Sequence, residues 1–294
     1  MLFALGLGED VVAVSHECDF PAEATSRPRV TTSNVDSALA SNEIDGQVKE
    51  LSAAGGALYD FDQAALIELR PDVIVTQSQC DVCAVRYQDV VDFVQAESAL
   101  AGTRIIPLNP QSLGDVFADV RQVGEALGFA DRARQYLAEL QERVAAVRNR
   151  TVQLPIEDRP RVACIEWIEP LMLAANWTPE LIENAGGSCP LTRAGQHSTY
   201  SAWKDVVQFD PQVIVVAPCG FDLARTLHED GSIPEWNSYG ALSATQHGRV
   251  FALDGNAYLN RSGPRLVDSI EILAHLFHPD LFSPSHMGDW QAVG

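Results

Sequence analysis

Residues 69–75 read LRPDVIV and residues 209–215 read FDPQVIV, so one short pattern occurs once in each half of the chain. Both copies predict the end of a helix, a turn at the proline and then a buried strand, because an apolar β-branched run is typical of strands covered on both faces. A cysteine follows each copy in the loop after the strand, Cys80 in the first and Cys219 in the second. The two copies are ~140 residues apart, which is too far for the repeat of a solenoid. This spacing predicts two lobes of like construction that face each other.

Further apolar runs alternate with helical patterns, which is the signature of an α/β fold with mostly parallel strands. The predicted strands are residues 11–14, 73–76, 104–107, 161–165, 213–217 and 250–253. Apolar residues at helical spacing predict two helices, over residues 115–127 and 130–150. The second would be about 30 Å long and is interpreted as the connector between the lobes. The predicted domains are an N-terminal lobe of residues 1–128, a connecting helix of residues 129–152 and a C-terminal lobe of residues 153–294.

The composition excludes several classes of protein. The 294 residues include 20 Lys and Arg against 40 Asp and Glu, which gives a formal net charge of −20. Because this charge repels phosphate backbones and anionic lipid, it argues against nucleic-acid binding and against a polybasic membrane contact. An apolar content of 46% excludes intrinsic disorder. The apolar runs reach only strand length, well short of the ~20 residues that a membrane-spanning helix needs.

The N-terminus and the cysteines bear on the cellular compartment. Residues 1–10 lack a basic stretch and contain Glu9 and Asp10, so they do not read as a secretory signal. The sequence as written therefore predicts a cytoplasmic protein, and a periplasmic or cell-surface protein if a leader precedes Met1. Six cysteines in a chain of this length do not make a disulfide scaffold. The cysteines could instead be buried thiols, metal ligands or redox groups.

The repeated pattern and three further motifs resemble the iron-complex and cobalamin periplasmic binding proteins of ABC transporters. Residues 12–21 (VAVSHECDFP) resemble the first cleft loop of that family, which ends in an aromatic–proline pair. Residues 185–187 (AGG) resemble the turn after the first helix of its second lobe, and residues 261–266 (RSGPRL) resemble the entry to its C-terminal helix. The resemblance implies two Rossmann-like lobes with mostly parallel sheets, bridged by one long α-helix, with a ligand in the cleft between them.

The resemblance also implies an ABC permease as a partner, which transporter-coupled members contact through an exposed carboxylate on each lobe. Alignment on the two repeated prolines places Ala64 and Lys204 at those positions, with Asp62 and Asp205 close by. The loss of both carboxylates argues against docking to a permease in the manner of those members.

A His/Cys set in the first half of the chain predicts a metal site. His16 and Cys18 follow the first predicted strand, and Cys80 and Cys83 follow the second. Imidazole and thiolate suit zinc, and two cysteines separated by two residues can place both sulfurs on one ion. The alternatives for these residues are a redox pair and simple loop packing.

Ligands of parallel α/β sheets gather outside the carboxyl ends of the strands, so the residues that follow the predicted strands are candidate ligand contacts. Aromatic rings among them would hold a flat, partly apolar ligand such as a corrinoid or a siderophore complex, with core packing as the alternative for each ring. The candidate ligand-binding residues are His16, Glu17, Gln77, Glu166, Trp167, Trp177, His197, Tyr200, Cys219, Asp254 and Tyr258.

These observations favour a small-molecule binding protein with no catalytic residues, whose ligand is cobalamin, a related corrinoid or another metal-bearing compound. An alternative of a different class is a cytosolic zinc-dependent enzyme or a cofactor-handling protein. In that alternative Glu17 or Glu166 would act as a general base beside a metal held by the His/Cys set.

Overall fold

The computed structural model describes residues 1–79, 84–230 and 240–293, and only the backbone of Asp230. The chain divides into two compact units. Unit 1 comprises Met1–Leu39, Glu43–Pro110 and Phe117–Leu137, and unit 2 comprises Ala40–Asn42, Gln111–Val116 and Ala138–Gly294.

The first half of the chain contains two pairs of strands and four helices among its described residues. Strand β1 (Thr31–Ser33) pairs antiparallel with β2 (Tyr59–Phe61), and β3 (Val73–Gln77) pairs parallel with β4 (Arg104–Leu108). The helices are α1 (Ser41–Ala53), α2 (Gln63–Leu69), α3 (Tyr87–Ala96) and α4 (Leu113–Ala126). Apolar side chains of β3 and β4 pack on two apolar clusters, one around Val120 and one around Val90.

Helix α5 (Ala130–Thr151) confirms the long helix predicted over residues 130–150. The division between the units falls inside this helix, after Leu137. Its buried residues, among them Ala133, Leu137, Leu140 and Val147, recur at helical spacing and line one face. The predicted domain boundaries at residues 128 and 152 stay a prediction.

Unit 2 is built on a sheet of six strands within its described residues, in the order β10-β9-β8-β5-β6-β7. The central strands β5 (Val162–Trp167), β8 (Val213–Val216) and β9 (Val250–Leu253) are parallel, and β6 (Met172–Leu173), β7 (Thr199–Tyr200) and β10 (Trp290–Ala292) add antiparallel at the edges. The helices are α6 (Thr178–Asn184), α7 (Trp203–Phe209), α8 (Leu223–Asp230), α9 (Ser243–Gln246) and α10 (Leu266–Phe277). The predicted mixed α/β fold with mostly parallel central strands is confirmed.

The repeated pattern has the same local structure in both copies. Helix α2 ends at Leu69 and α7 ends at Phe209, and the next residues, Arg70 and Asp210, are left-handed with φ of 45° and 49°. A left-handed residue closes the helix, and the proline that follows cannot continue it, so the chain turns into β3 or β8. The predicted sequence of helix end, turn and strand is confirmed.

The prediction of a strand at residues 11–14 is wrong. A 3-10 turn spans Gly8–Asp10, and the following residues contribute only an isolated bridge from Val14 to Arg29. Val12 is 45% exposed, so this segment is not covered on both faces as a central parallel strand would be. The apolar run instead buries Val11 and Val14 from a loop.

The glycine pair of residues 185–187 allows a close approach within unit 2. Gly186 has a φ of +86°, and a Cβ there would lie 2.7 Å from Nε2 of His278 and 2.9 Å from Thr151. A Cβ on Gly187 would lie 2.9 Å from the side chains of Ile182, Phe277 and Val162. Only glycine therefore lets the end of α6 lie this close to α10 and β5.

Within the described residues, we find no helix with the length and apolarity needed to cross a membrane.

Candidate functional site

His16 of unit 1 is held by contacts to Thr31 and Tyr59 that leave one ring nitrogen available. Its backbone N–H donates to Oγ1 of Thr31 at 2.8 Å, and Nδ1 lies 2.6 Å from the same oxygen. The ring stacks on Tyr59, with centroids 5.5 Å apart. Nε2 is buried and makes no hydrogen bond to a described residue, although Oε1 of Glu17 lies 3.4 Å away. Because the hydroxyl oxygen of Thr31 can accept from both N–H groups, Nε2 can keep its lone pair.

The other members of the predicted unit 1 set are only partly described. Cys18, two residues after His16 in the sequence, is half-buried. Gln77 ends β3, where its Oε1 accepts a hydrogen bond from the backbone of Gln79 at 2.9 Å. Cys80 and Cys83 lie outside the described residues. The four-ligand metal site therefore stays a prediction.

Three of the predicted residues in unit 2 come together at the carboxyl ends of β5 and β8. Glu166 and Trp167 end β5, and the backbone N–H of Cys219, in the loop after β8, donates to the carbonyl oxygen of Glu166 at 2.9 Å. The Glu166 carboxylate accepts a hydrogen bond from the hydroxyl of Ser198 at 2.6 Å. Cys219 is exposed, and Glu166 and Trp167 are half-buried.

The ring of Trp167 lies against Phe221, with centroids 5.4 Å apart. Phe221 is 3% exposed and carries the guanidinium of Arg225 4.8 Å from its ring centroid. A buried ring therefore supports a half-buried one, which gives Trp167 a fixed position with part of its surface open. Phe221 was not among the predicted ligand-binding residues, although it lies with Cys219 in the loop that follows β8, which is the signal that could have found it.

Two of the other three predicted aromatic residues, Trp177 and Tyr258, are packed inside unit 2. Trp177 is 5% exposed, and its indole N–H donates to the carbonyl oxygen of Leu259 at 2.7 Å. Tyr258 is 3% exposed, and its hydroxyl donates to Asp289 at 2.5 Å. Neither ring offers a stacking face in this structure, so a direct ligand contact by either stays a prediction.

Asp254 follows β9 and caps the π-helical turn Gly255–Leu259 by accepting a hydrogen bond from the backbone of Ala257 at 2.7 Å. Burial raises the pKa of its carboxyl group, and the nearby carboxylates of Asp222 and Asp289 act in the same direction. His197 and Tyr200 lie in or near β7, the strand at the other edge of the sheet from β9 and β10, and both are exposed. The structure thus places Tyr200, which pairs with Met172, on an edge strand.

The structure also brings together a group that the sequence did not predict. Asp268, Glu271 and His286 place one ligand-type atom each within 4.8 Å of one another. Arg143 donates to Asp268 at 2.6 Å and to both oxygens of Glu271 at 2.7 and 2.8 Å. Since the guanidinium of Arg143 already pairs with both carboxylates and Arg265 lies 4.0 Å from Asp268, this group is best explained as an ion-pair network.

Comparison with known proteins places the chain in a family. Residues 1–257 match the family model described as "Periplasmic binding protein". The chain belongs to the periplasmic binding protein family. The recognition made from residues 12–21, 185–187 and 261–266 is confirmed, and with it the class of small-molecule binding proteins.

Individual relatives are distant in sequence and similar in fold. The chain is 22% identical over 284 residues to the uncharacterized ABC transporter substrate-binding lipoprotein YvrC of Bacillus subtilis (strain 168), covering 95% of this chain and 77% of that protein. It matches the periplasmic vitamin B12 binding protein BtuF of Vibrio cholerae with a TM-score of 0.67 and 19% identity, covering 95% and 92% of the two chains. It matches a periplasmic heme binding protein from Pseudomonas aeruginosa with a TM-score of 0.72 and 16% identity, covering 100% and 95%.

Proposed function

We propose that this chain is the substrate-binding protein of an ABC transporter and that its ligand is a metal-bearing small molecule, either a corrinoid or another metal complex such as a heme. The observation that carries the transport role is the family match over residues 1–257. The relatives named for vitamin B12 and for heme support a metal-bearing ligand without choosing between the two. Such a protein binds and delivers its ligand and carries out no chemistry on it.

His16 supports the metal-bearing ligand. Histidines that bind metals usually have their second ring nitrogen fixed by a hydrogen bond, which sets the orientation of the ring. Thr31 provides that bond at Nδ1, and Tyr59 fixes the plane of the ring by stacking. Nε2 then remains as the ligand atom, and we propose that it binds the metal of the ligand or an ion held with Cys18.

The pair of Trp167 and Phe221 supports a ligand with a flat, apolar part. Trp167 is supported from behind by a buried ring, so stacking on it would cost little side-chain entropy. Glu166, fixed by Ser198, and the exposed Cys219 add polar groups beside it. We propose that Glu166, Trp167, Tyr200 and Cys219 form the ligand-contacting surface of unit 2.

We also propose that the chain acts outside the cytoplasm with an ABC permease as its partner, which is supported by the relative described as an ABC transporter substrate-binding lipoprotein. Asp62 is exposed but already accepts the backbone N–H of Ala65 as the cap of α2, and Lys204 stands exposed on α7. We therefore propose contacts to the permease that differ from the carboxylate pairs implied by the resemblance.

Titration of the purified chain with hydroxocobalamin and, separately, with hemin tests the proposal. Tryptophan fluorescence and visible absorption would be followed up to ~100 μM ligand, where a complex of micromolar Kd is saturated. We expect one ligand per chain for at least one probe and loss of affinity in Trp167→Ala. A protein that binds neither probe and contains tightly held zinc would contradict the proposal and favour the zinc-dependent alternative.

A further inference from the structure

The turn that follows β9 is held at both ends by one residue of the C-terminal segment. Strand β10 pairs antiparallel with β9, with Trp290 opposite Leu253. Asp289, the residue before β10, accepts the backbone N–H of Asp254 on its carbonyl oxygen at 2.9 Å. Its carboxylate accepts the hydroxyl of Tyr258 at 2.5 Å. Asp289 thus fixes the residue that precedes the π-helical turn and a residue near its end.

The turn itself lies tightly against the end of β8. A Cβ on Gly255 would lie 2.3 Å from the carbonyl oxygen of Pro218 and 2.6 Å from that of Ala217, so only glycine fits there. The backbone N–H of Asn256 donates to the carbonyl oxygen of Phe221 at 3.0 Å. A displacement of the turn would therefore move Phe221 directly.

Phe221 transmits that position to the proposed ligand surface, because its ring is the support of Trp167. The contacts run without a gap from Asp289 through Tyr258 and the turn to Phe221 and then to Trp167. All of these residues belong to unit 2. A side chain in the C-terminal segment can thus influence ligand affinity without touching the ligand.

The hydrogen bond between Tyr258 and Asp289 is short and partly buried, and its donor stays protonated at neutral pH. Burial first, and then the hydrogen bond to Asp289, raise the pKa of Tyr258 to about 12, so the hydroxyl stays protonated and donates at neutral pH. Arg265 lies 4.6 Å from the centroid of the Tyr258 ring, and Nδ1 of His286 lies 3.3 Å from its hydroxyl. Nε2 of His286 is 4.0 Å from Glu271.

We propose that Asp289 is a positioning residue for ligand binding, which sets the Asp254–Leu259 turn and through it the place of Phe221 and Trp167. The proposal rests on the proposed function for its ligand surface, but not on the identity of the ligand. It predicts that affinity depends on the acceptor atom at residue 289 more than on its charge.

The test compares Asp289→Ala, Asp289→Asn and Tyr258→Phe in the full chain. Asp289→Ala and Tyr258→Phe remove the same hydrogen bond from opposite ends, so each should weaken the better of the hydroxocobalamin and hemin complexes roughly tenfold. The double variant should be no weaker than either single one. Asp289→Asn keeps an acceptor oxygen and should restore affinity to near the wild-type value. Gln291→Ala, at an exposed position of β10, is the matched control and should leave the ligand affinity unchanged.

A second readout needs no ligand. Acrylamide quenching of Trp167 fluorescence, taken as the difference from Trp167→Phe, should increase in Asp289→Ala and return in Asp289→Asn. Circular dichroism and urea midpoints would identify a variant that fails to fold, in which case Tyr258→Phe decides. Wild-type affinity and quenching in folded Asp289→Ala and Tyr258→Phe would overturn the proposal. If the wild type binds neither probe, the proposed ligand class fails, and the quenching result alone decides the role of Asp289.

Discussion

Arg143 on α5 and Glu271 on α10 form a two-pronged ion pair, with Nε and Nη2 of the guanidinium donating to the two carboxylate oxygens at 2.8 and 2.7 Å. Asp268, one turn before Glu271, accepts from the same guanidinium at 2.6 Å. The hydrogen bonds to these carboxylates raise the pKa of Arg143 further above its already high value. The pair ties the second part of the long helix to the C-terminal helix within unit 2.

The first prediction is that Arg143→Met lowers the free energy of unfolding by about 1 kcal/mol, because the carboxylates of Asp268 and Glu271 then lose their nearest counter-charge. Arg265 and His286, each 4.0 Å from one of the carboxylates, would remain. The effect is small because the side chain of Arg143 is 39% exposed, so solvent partly screens its charge. Urea denaturation at neutral pH would measure it, and 1 M NaCl should reduce the difference. An unchanged urea midpoint at low salt would show that the pair does not stabilise the fold.

The second prediction concerns stacking on the ligand. Trp167→Ala should weaken binding of hydroxocobalamin or hemin by ~1 to 3 kcal/mol, roughly 5- to 150-fold, because a supported aromatic face is lost. Isothermal calorimetry gives the affinity without relying on the fluorescence of the substituted residue. Trp203→Phe is the control. Trp203 packs against the apolar core on the sheet of unit 2, so this variant should bind the ligand as the wild type does. Equal affinities in Trp167→Ala and the wild type would remove Trp167 from the site.

The third prediction concerns His16 and its orienting residue. His16→Gln should abolish the absorption change that a metal ligand causes on binding, and Thr31→Val should weaken binding 10- to 100-fold, as is typical when the partner of a metal-binding histidine is removed. The hydroxyl of Thr31 holds Nδ1, and valine keeps its shape. The control is His247→Gln, an exposed histidine of unit 2. A wild-type spectrum in His16→Gln would exclude this side chain as a ligand.

The fourth prediction tests the thiols. Cys80→Ser and Cys83→Ser should lower the metal content of the purified chain, because a serine hydroxyl is a far poorer ligand than a thiolate for zinc. Cys164→Ala is the control, since burial raises the pKa of the Cys164 thiol well above its usual value and keeps it protonated inside the sheet. Elemental analysis measures the outcome. Full metal content together with full ligand affinity in both serine variants would leave loop packing as the role of these cysteines.

The fifth prediction is a pH dependence at the second copy of the repeated pattern. The hydroxyl and the backbone N–H of Ser243 donate to the Asp210 carboxylate at 2.6 and 2.8 Å and lower its pKa below the usual value of 3.8. A carboxyl group with a lowered folded-state pKa stabilises the fold above its unfolded pKa, and this contribution is lost as pH falls through the folded value. Ser243→Ala should therefore be less stable than the wild type at pH 7, and the difference should shrink below about pH 4. Thermal unfolding across this range would measure it, and a constant difference would rule out the carboxylate as the cause.

Much of the fold follows from local patterns in the sequence. The repeated helix end and proline turn, the β-branched strands and the spacing of α5 are determined within a few residues, because backbone preferences and burial on both faces act locally. The glycine pair of residues 186–187 and the arginine–proline entry to α10 are likewise local signals. The strand predicted at residues 11–14 was wrong because the apolar pattern does not show whether both faces are buried. These residues are as apolar as a strand, yet Val12 is exposed and the segment lies in a loop.

The candidate site was predictable only in part. Strand ends identified Glu166, Trp167 and Cys219, since parallel strands bring their carboxyl ends to one edge. The sequence did not distinguish the half-buried Trp167 from the buried Trp177 and Tyr258, because each ring lies at the end of a strand or in a connecting segment and the burial of each depends on what packs against it. The support of Trp167 by Phe221 and the hold of Asp289 on Tyr258 join residues far apart in the chain. The sequence by itself thus determined the family, the parallel strands β3, β4, β5, β8 and β9 and the long helix. The tertiary structure alone decided which side chains are exposed, because burial depends on contacts that no local pattern encodes.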